Sequence, residues 1–301
     1  DRLEERGHAT HYLVELIEAM AIEGSRAYVS LTSGFGSNYG VGLLDLSDPN
    51  RVNVLVEPKW IIDRYPGAFS RAIAVTGDHV WVASSGGVFT ALDRREIGAL
   101  RVVGAYPTVG SLQSLALANR HLFADNGDAV QVVNVHDPGQ PRHVGLVAAG
   151  YNYSGMAASE GLLGLAIFGR SDQLFPRLDL IDVRDPRQPV PLVSVNPPGF
   201  VVSNHGIDLE GNLLAYAVND VRDQVTLHDV TRPASPVVMA NVLLDCCPEG
   251  VALAGERLFT LTAGKGVARL LRNDAAEGAA PSGAITLATD TSEYPDALLA
   301  M

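Results

Sequence analysis

One strand-turn-strand phrase is written three times in this chain: VVNVHDPGQPRHVGLV at residues 132–147, LIDVRDPRQPVPLVSV at 180–195 and LHDVTRPASPVVMANV at 227–242. Such a repeat constrains the fold more than any single motif, because each copy must bury its apolar face against the next. Aligning the short apolar strand that opens each unit gives seven openings, at Glu18, Arg71, Gln113, Ser154, His205, Glu249 and Asp296, spaced 41 to 53 residues apart. A period in the forties with about four strands per unit is the pattern of a β-propeller blade.

The third unit supplies the template: SLALA (114–118), HLFAD (121–125), VQVVNV (130–135) and HVGLV (143–147). Asn126-Gly127 between the second and third strands is a hairpin signal. The Asp-Pro step between the third and fourth favours a turn, because proline donates nothing to a ladder. Pro49, Pro138, Pro186 and Pro233 stand in equivalent places. Asp125-Asn-Gly-Asp128 shares the start of a calcium loop but lacks the later bidentate Glu, and it reads as a hairpin.

The fold class expected is therefore all-β: a single domain over residues 1–301, a propeller of four-stranded antiparallel blades with six complete blades and a partial seventh. The seventh would consist of the opening strand at Asp296 and, as an outer strand, HYLVEL at residues 11–16. Three alternatives stay open: a truncated chain, a second chain covering the incomplete blade, or six-bladed closure with extra terminal strands. Leu13, Leu16, Ile17 and Met20 also permit a local helical stripe.

LLDLSDP, VVNVHDP and LIDVRDP resemble the LVIVD repeat of bacterial and archaeal propellers, and about four of the six full units carry the likeness well. Blade two, with FTALDRREIG, and blade six, with VARLLRNDAAEG, lack the proline turn. The resemblance implies a propeller, often in secreted or envelope proteins, and so an extracellular or cell-envelope location. It brings no common catalytic motif.

Charge and hydropathy remove two classes of partner. The 22 basic and 34 acidic residues give a net charge of −12, with no Arg/Lys cluster interleaved with aromatics, which argues against nucleic acid. No apolar run approaches about 18 residues, so no membrane span is expected. The two cysteines, Cys246 and Cys247, are adjacent and offer either a strained vicinal disulfide or two thiols.

Antiparallel blades put the start of the first strand, the loop between second and third strands, and the connection to the next blade at one end. The residues just before each first strand, Glu18, Arg71, Gln113, Ser154, His205, Glu249 and Asp296, are all polar and should ring the mouth of the central channel. The longer loops at 33–40, 168–177 and 219–224 lie at the same end, as do Tyr151, Cys246 and Cys247. These positions are the candidate ligand-binding set, for a small molecule, a glycan or a protein. The competing reading is a metal-assisted hydrolase or lyase, with His205 and Glu249 as candidate catalytic residues and His205, Glu249 and Asp296 as candidate ligands of a divalent metal. No HExxH pattern supports that chemistry, and no other cofactor is expected.

Overall fold

The computed structural model describes residues 15–33, 39–45, 47, 53–61, 69–96, 99–108, 110–149, 151–169, 174–201, 206–219, 223–244, 248–254, 257–262, 266–271 and 286–288. Among them are 25 strands and no helix. The chain divides into two compact units, one built on residues 5–149 and the other on residues 150–297.

The first unit holds three four-stranded sheets whose neighbours follow chain order. Sheet one is β1 (Glu15–Glu23), β2 (Arg26–Ser33), β3 (Tyr39–Asp45) and β4 (Asn53–Ile61). Sheet two is β5 (Ser70–Thr76), β6 (His79–Ser84), β7 (Val88–Asp93) and β8 (Arg101–Pro107). Sheet three is β9 (Ser114–Ala118), β10 (His121–Asp125), β11 (Ala129–Asn134) and β12 (Arg142–Ala149). The template strands of the third unit thus form where their sequences place them, within two residues at each end.

The second unit also holds three sheets. Sheet four is β13 (Asn152–Ser159), β14 (Leu162–Gly169), β15 (Leu174–Asp182) and β16 (Val190–Val195). Sheet five has five strands, because its first strand is interrupted into β17 (Phe200–Val201) and β18 (Ile207–Glu210), both paired with β19 (Leu213–Asn219); β20 (Gln224–Asp229) and β21 (Val237–Leu243) complete it. Sheet six is β22 (Pro248–Ala254), β23 (Arg257–Thr262), β24 (Gly266–Leu271) and β25 (Thr286–Ala288). Every pairing is antiparallel.

Burial explains the hydropathy of each strand. Second and third strands are covered on both faces, so β6 and β10 are almost wholly buried, whereas the fourth strand β8 is largely exposed. In the first unit Tyr28, Val41, Val80 and Leu92 fill the space between sheets one and two, and Trp81, Phe89, Leu122 and Val133 that between two and three. In the second, Leu178, Leu214 and Tyr216 pack sheets four and five together, and Ala215, Val225 and Val251 join five to six. First strands pack on first strands: β5 touches β1 and β9, and β18 touches β13 and β22.

The repeated turn phrase has two physical roles. The last polar residue of the third strand caps the turn that follows: side-chain oxygens of Asp45, Asp93, Asn134, Asp182 and Asp229 accept the backbone N–H two residues on. Sheet two keeps this cap although it lacks the proline. The Asp-Pro step then closes a tight turn, with Gln140 N–H donating to Asp137 O and Gln188 N–H to Asp185 O, each at 3.0 Å. In sheet three this turn presses on the neighbouring sheet: an ideal Cβ at Gly104 of β8 would lie 2.2 Å from the Pro138 carbonyl oxygen.

A different device joins sheets five and six. Counting from each opening, the fourth residue of the first strand is Ala21, Ala74, Ala116, Ala157 and Ala252 in five sheets and Asp208 in the fifth sheet. The Asp208 carboxylate accepts Leu209 N–H at 2.8 Å and, across the sheet boundary, Leu253 N–H at 2.6 Å; burial pushes its pKa up. Asp208→Ala leaves the Leu253 N–H without its acceptor and is expected to lower stability by about 1–3 kcal/mol. Urea unfolding measures this, and an unchanged midpoint would remove the role.

Two sequence expectations are corrected here. No seventh sheet exists among the described residues. Glu15 and Leu16, expected on an outer seventh-blade strand, instead begin β1 and pair with Ser33 and Thr32, which also replaces the helical stripe from Glu15 onward. The strand from Glu15 to Glu23 takes up the last two residues of the segment assigned to the partial blade. The remainder of that expectation, residues 11–14 and the opening at Asp296, lies outside the described residues.

Candidate functional site

The aligned openings share a backbone feature. In four sheets the pairing of first and second strands slips by one residue at the predicted position: between Ile17 and Ala19, Ser70 and Ala72, Tyr153 and Gly155, and Pro248 and Gly250. The extra residues are Glu18, Arg71, Ser154 and Glu249. A β-bulge frees one residue from the ladder and re-aims its side chain. Gln113 immediately precedes β9, and its N–H donates to Asp125 O at 2.9 Å. His205 falls in the interruption between β17 and β18, outside the described residues. In four of the six sheets the chain thus breaks its inner ladder where the unit places a polar residue.

In the unit built on residues 5–149, Arg71 is exposed and its guanidinium lies 5.9 Å from the centre of the Phe69 ring. That ring contact is its sole recorded interaction among the described residues; no ion pair or hydrogen bond neutralises it. Gln113 is half-buried, and its side-chain amide donates to Ser111 Oγ at 3.2 Å. The loops beneath are tied together. Phe69 N–H donates to Ser85 Oγ and Ser85 N–H to Phe69 O, both at 2.8 Å. Thr108 N–H donates to Gly87 O at 2.7 Å. Gly87, at φ +76°, approaches so closely that a Cβ there would sit 2.5 Å from Gly110 O.

The residue whose backbone carbonyl accepts the Gln113 N–H carries a buried carboxyl. Asp125 is 1% exposed; one oxygen accepts Gly127 N–H at 2.6 Å, and the other has no hydrogen-bond partner among the described residues. Its cross-strand neighbour Ser114, 2% exposed, also has an unpartnered hydroxyl. Burial raises the Asp125 pKa to about 6. Asn126 Oδ1 accepts the N–H groups of Asp128 and Ala129, so the segment is spent on hairpin closure, as its sequence suggested.

In the unit built on residues 150–297, the predicted Tyr151 meets its neighbour Tyr153 and an arginine whose pairing sequence reading missed. Arg177 stands 4.9 Å over the Tyr151 ring, Tyr153 meets that ring edge-on at 6.4 Å, and Arg177 bridges to Asp179 at 2.9 Å. Ser194 Oγ donates to the same carboxylate at 2.7 Å. The signal was present as Arg177-Leu-Asp179, since alternate residues of a strand share a face. Unlike Arg71, this arginine is committed to internal partners.

Ser154 is half-buried at its bulge. Cys246, Cys247, His205 and Asp296 lie outside the described residues, as do the centres of the three long loops. Of Glu18 and Glu249 the backbone position is described. No group of three or more His, Cys, Asp or Glu able to hold a metal ion occurs among the described residues.

No family model and no curated protein matches the sequence. Solved structures do. A candidate 6-phosphogluconolactonase of Bacteroides fragilis NCTC 9343 superposes with a TM-score of 0.65 at 14% identity, covering 90% of this chain and 82% of that one. The β-propeller domain of Myceliophteria thermophila Cps50 (Swd1) gives 0.61 at 12% identity, covering 92% and 88%. BamB from Moraxella catarrhalis gives 0.52 at 15% identity, covering 90% and 75%. At such identities the likeness establishes architecture alone, and the architecture is that of a β-propeller.

Proposed function

We propose that this chain is a non-enzymatic binding module that recognises a small molecule, a glycan or a protein at the end of the sheets where the first strands open. The observation that carries the reading is the recurrence of a pairing break at the polar opening residue of four of the six sheets, with Arg71 left exposed and, among the described residues, without a counter-charge. A packing role alone would not require the ladder to break at each of these residues. Rigid loops around Phe69, Gly87 and Thr108 hold the local surface in one conformation, which lowers the entropy lost on binding. The LVIVD resemblance favours an extracellular or envelope setting. A protein partner accords with the interaction surfaces that propellers of this general architecture present.

The test is a ligand screen followed by two triple variants. Molecules that shift the melting temperature are retested on Glu18→Ala/Arg71→Ala/Gln113→Ala and on Ser47→Ala/Arg95→Ala/Arg184→Ala, which alters the opposite end. The first variant is expected to lose at least tenfold in affinity and the second to bind as the parent does. The reverse pattern would overturn the assignment of the face.

A further inference from the structure

Beyond the choice of face, Phe69 and Arg71, with Gln113 opening the adjacent sheet, specify a class of ligand. We propose that they bind a carboxylate carried on an aromatic or otherwise apolar body, a reading that rests on the proposed recognition face.

Three independent features converge on that chemistry. The exposed large hydrophobic side chains among the described residues all lie on the fourth strands of their sheets, with one exception: Phe69, 38% exposed, beside the start of a first strand. Its position at the predicted mouth and its fixed backbone, held by Ser85 on both N–H and C=O, give an apolar platform that does not need to be ordered on binding. Next to it, the bulge at Arg71 presents a guanidinium that has no ion pair or hydrogen bond among the described residues, in a chain of net charge −12. A planar guanidinium offers parallel N–H donors that match the two oxygens of a carboxylate. The third feature is polar Gln113 at the equivalent position of the adjacent sheet, where first strand packs on first strand, its side-chain amide held by Ser111 Oγ.

The order of residues also sets geometry. The guanidinium is 5.9 Å from the Phe69 ring centre, so a ligand whose carboxylate meets Arg71 carries its first few carbons across the ring. Stacking on Phe69 and pairing with Arg71 then occur in one pose. A bare inorganic anion would use the arginine alone, and an uncharged ring the phenylalanine alone. Arg177 in the other unit shows what an arginine without this vacancy looks like, occupied by Asp179 and Tyr151. A carboxylate on an apolar body could be a free aromatic acid or the C-terminal end of a peptide chain with a terminal aromatic residue.

The experiment is titration of the full chain with four probes, followed by arginine side-chain and backbone amide NMR signals: benzoate, benzamide, and a tetrapeptide ending in phenylalanine with either a free or an amidated C terminus. Benzoate and the free-acid peptide are expected to shift Arg71, Ser70 and Gln113 signals, with the neutral counterpart of each at least tenfold weaker. Tighter binding of benzoate identifies a free acid as the source, and tighter binding of the peptide identifies a chain terminus. Arg71→Lys and Phe69→Ala should each weaken binding about tenfold or more without a change in melting temperature. Equal binding of charged and neutral probes, no binding of either acid, or undiminished binding by Arg71→Ala overturns the proposal. Screen hits that map to the same face but bear no carboxylate would overturn this ligand class while leaving the face assignment intact.

Discussion

Gly104→Ala is expected to destabilise the protein by about 3 kcal/mol, the upper part of the range for forced overpacking. The position is not special for its backbone angle; it is special for what stands opposite. A Cβ at Gly104 would lie 2.2 Å from Pro138 O and 3.2 Å from the Pro138 carbonyl carbon, both backbone atoms of the Asp-Pro turn. That turn cannot give way cheaply. Proline fixes its own φ, Gln140 N–H closes it on Asp137 O, and Asp137 Oδ1 accepts Gly139 N–H. Either β8 shifts in its ladder, where Gly104 pairs with Ala91, or sheet three moves from sheet two. Gly139→Ala is the control, since its Cβ would meet Asp137 Oδ1 at an ordinary 3.4 Å. Urea unfolding of both variants decides: a large loss at Gly104 with little change at Gly139 supports the docking role, and equal small effects contradict it.

Asp125→Asn is expected to stabilise the protein above pH 6 and to flatten its pH profile. The carboxyl titrates at 3.8 in the unfolded chain and at about 6 in the folded one, because burial disfavours its charged form. Its pKa is raised, so the folded state holds the proton more tightly. The contribution to stability is fully present below pH 3.8 and is lost as pH rises through 6. The interval amounts to roughly 3 kcal/mol by linkage, an order of magnitude for a carboxyl that is 1% exposed. Asparagine removes the charge yet keeps an oxygen to accept the Gly127 N–H. Unfolding free energies measured at pH 4 and pH 8 should therefore fall for the parent and differ much less for the variant. Parallel profiles would contradict the account, as would a variant less stable than the parent at pH 8.

Much of this was legible from the residues. The polar openings aligned because an opening residue and the apolar strand behind it obey a pattern of period two; that the backbone bulges at Glu18, Arg71, Ser154 and Glu249 was not written in that pattern. The repeated proline marked the turns but hid the more general device. Asp93 in FTALDRREIG still caps its turn without any proline, because an Asx cap needs only an oxygen two residues before an N–H. The end of HYLVEL misled at Glu15 and Leu16 because its strand-like alternation has no partner written beside it, and register is set by pairing. Asp208 and Asp125 were not singled out as buried acids. A carboxylate among alanines looks like drift in one line of sequence, and its meaning comes from the Leu253 N–H or the Ser114 hydroxyl brought near by folding. Phe69 likewise read as one apolar residue in a long connection; its exposure beside an arginine that has no ion pair among the described residues is a property of the fold.

Backbone amide NMR of the full chain, with the tightest ligand from the screen added stepwise, tests the central claim most directly. Saturable shifts are expected at Ser70, Arg71, Gly87, Thr108 and Gln113, with the turn residues Ser47, Arg95, His136, Arg184 and Thr231 unmoved. Saturable shifts at those five turns, with Arg71 and Gln113 silent, would show that the polar openings are not the binding face.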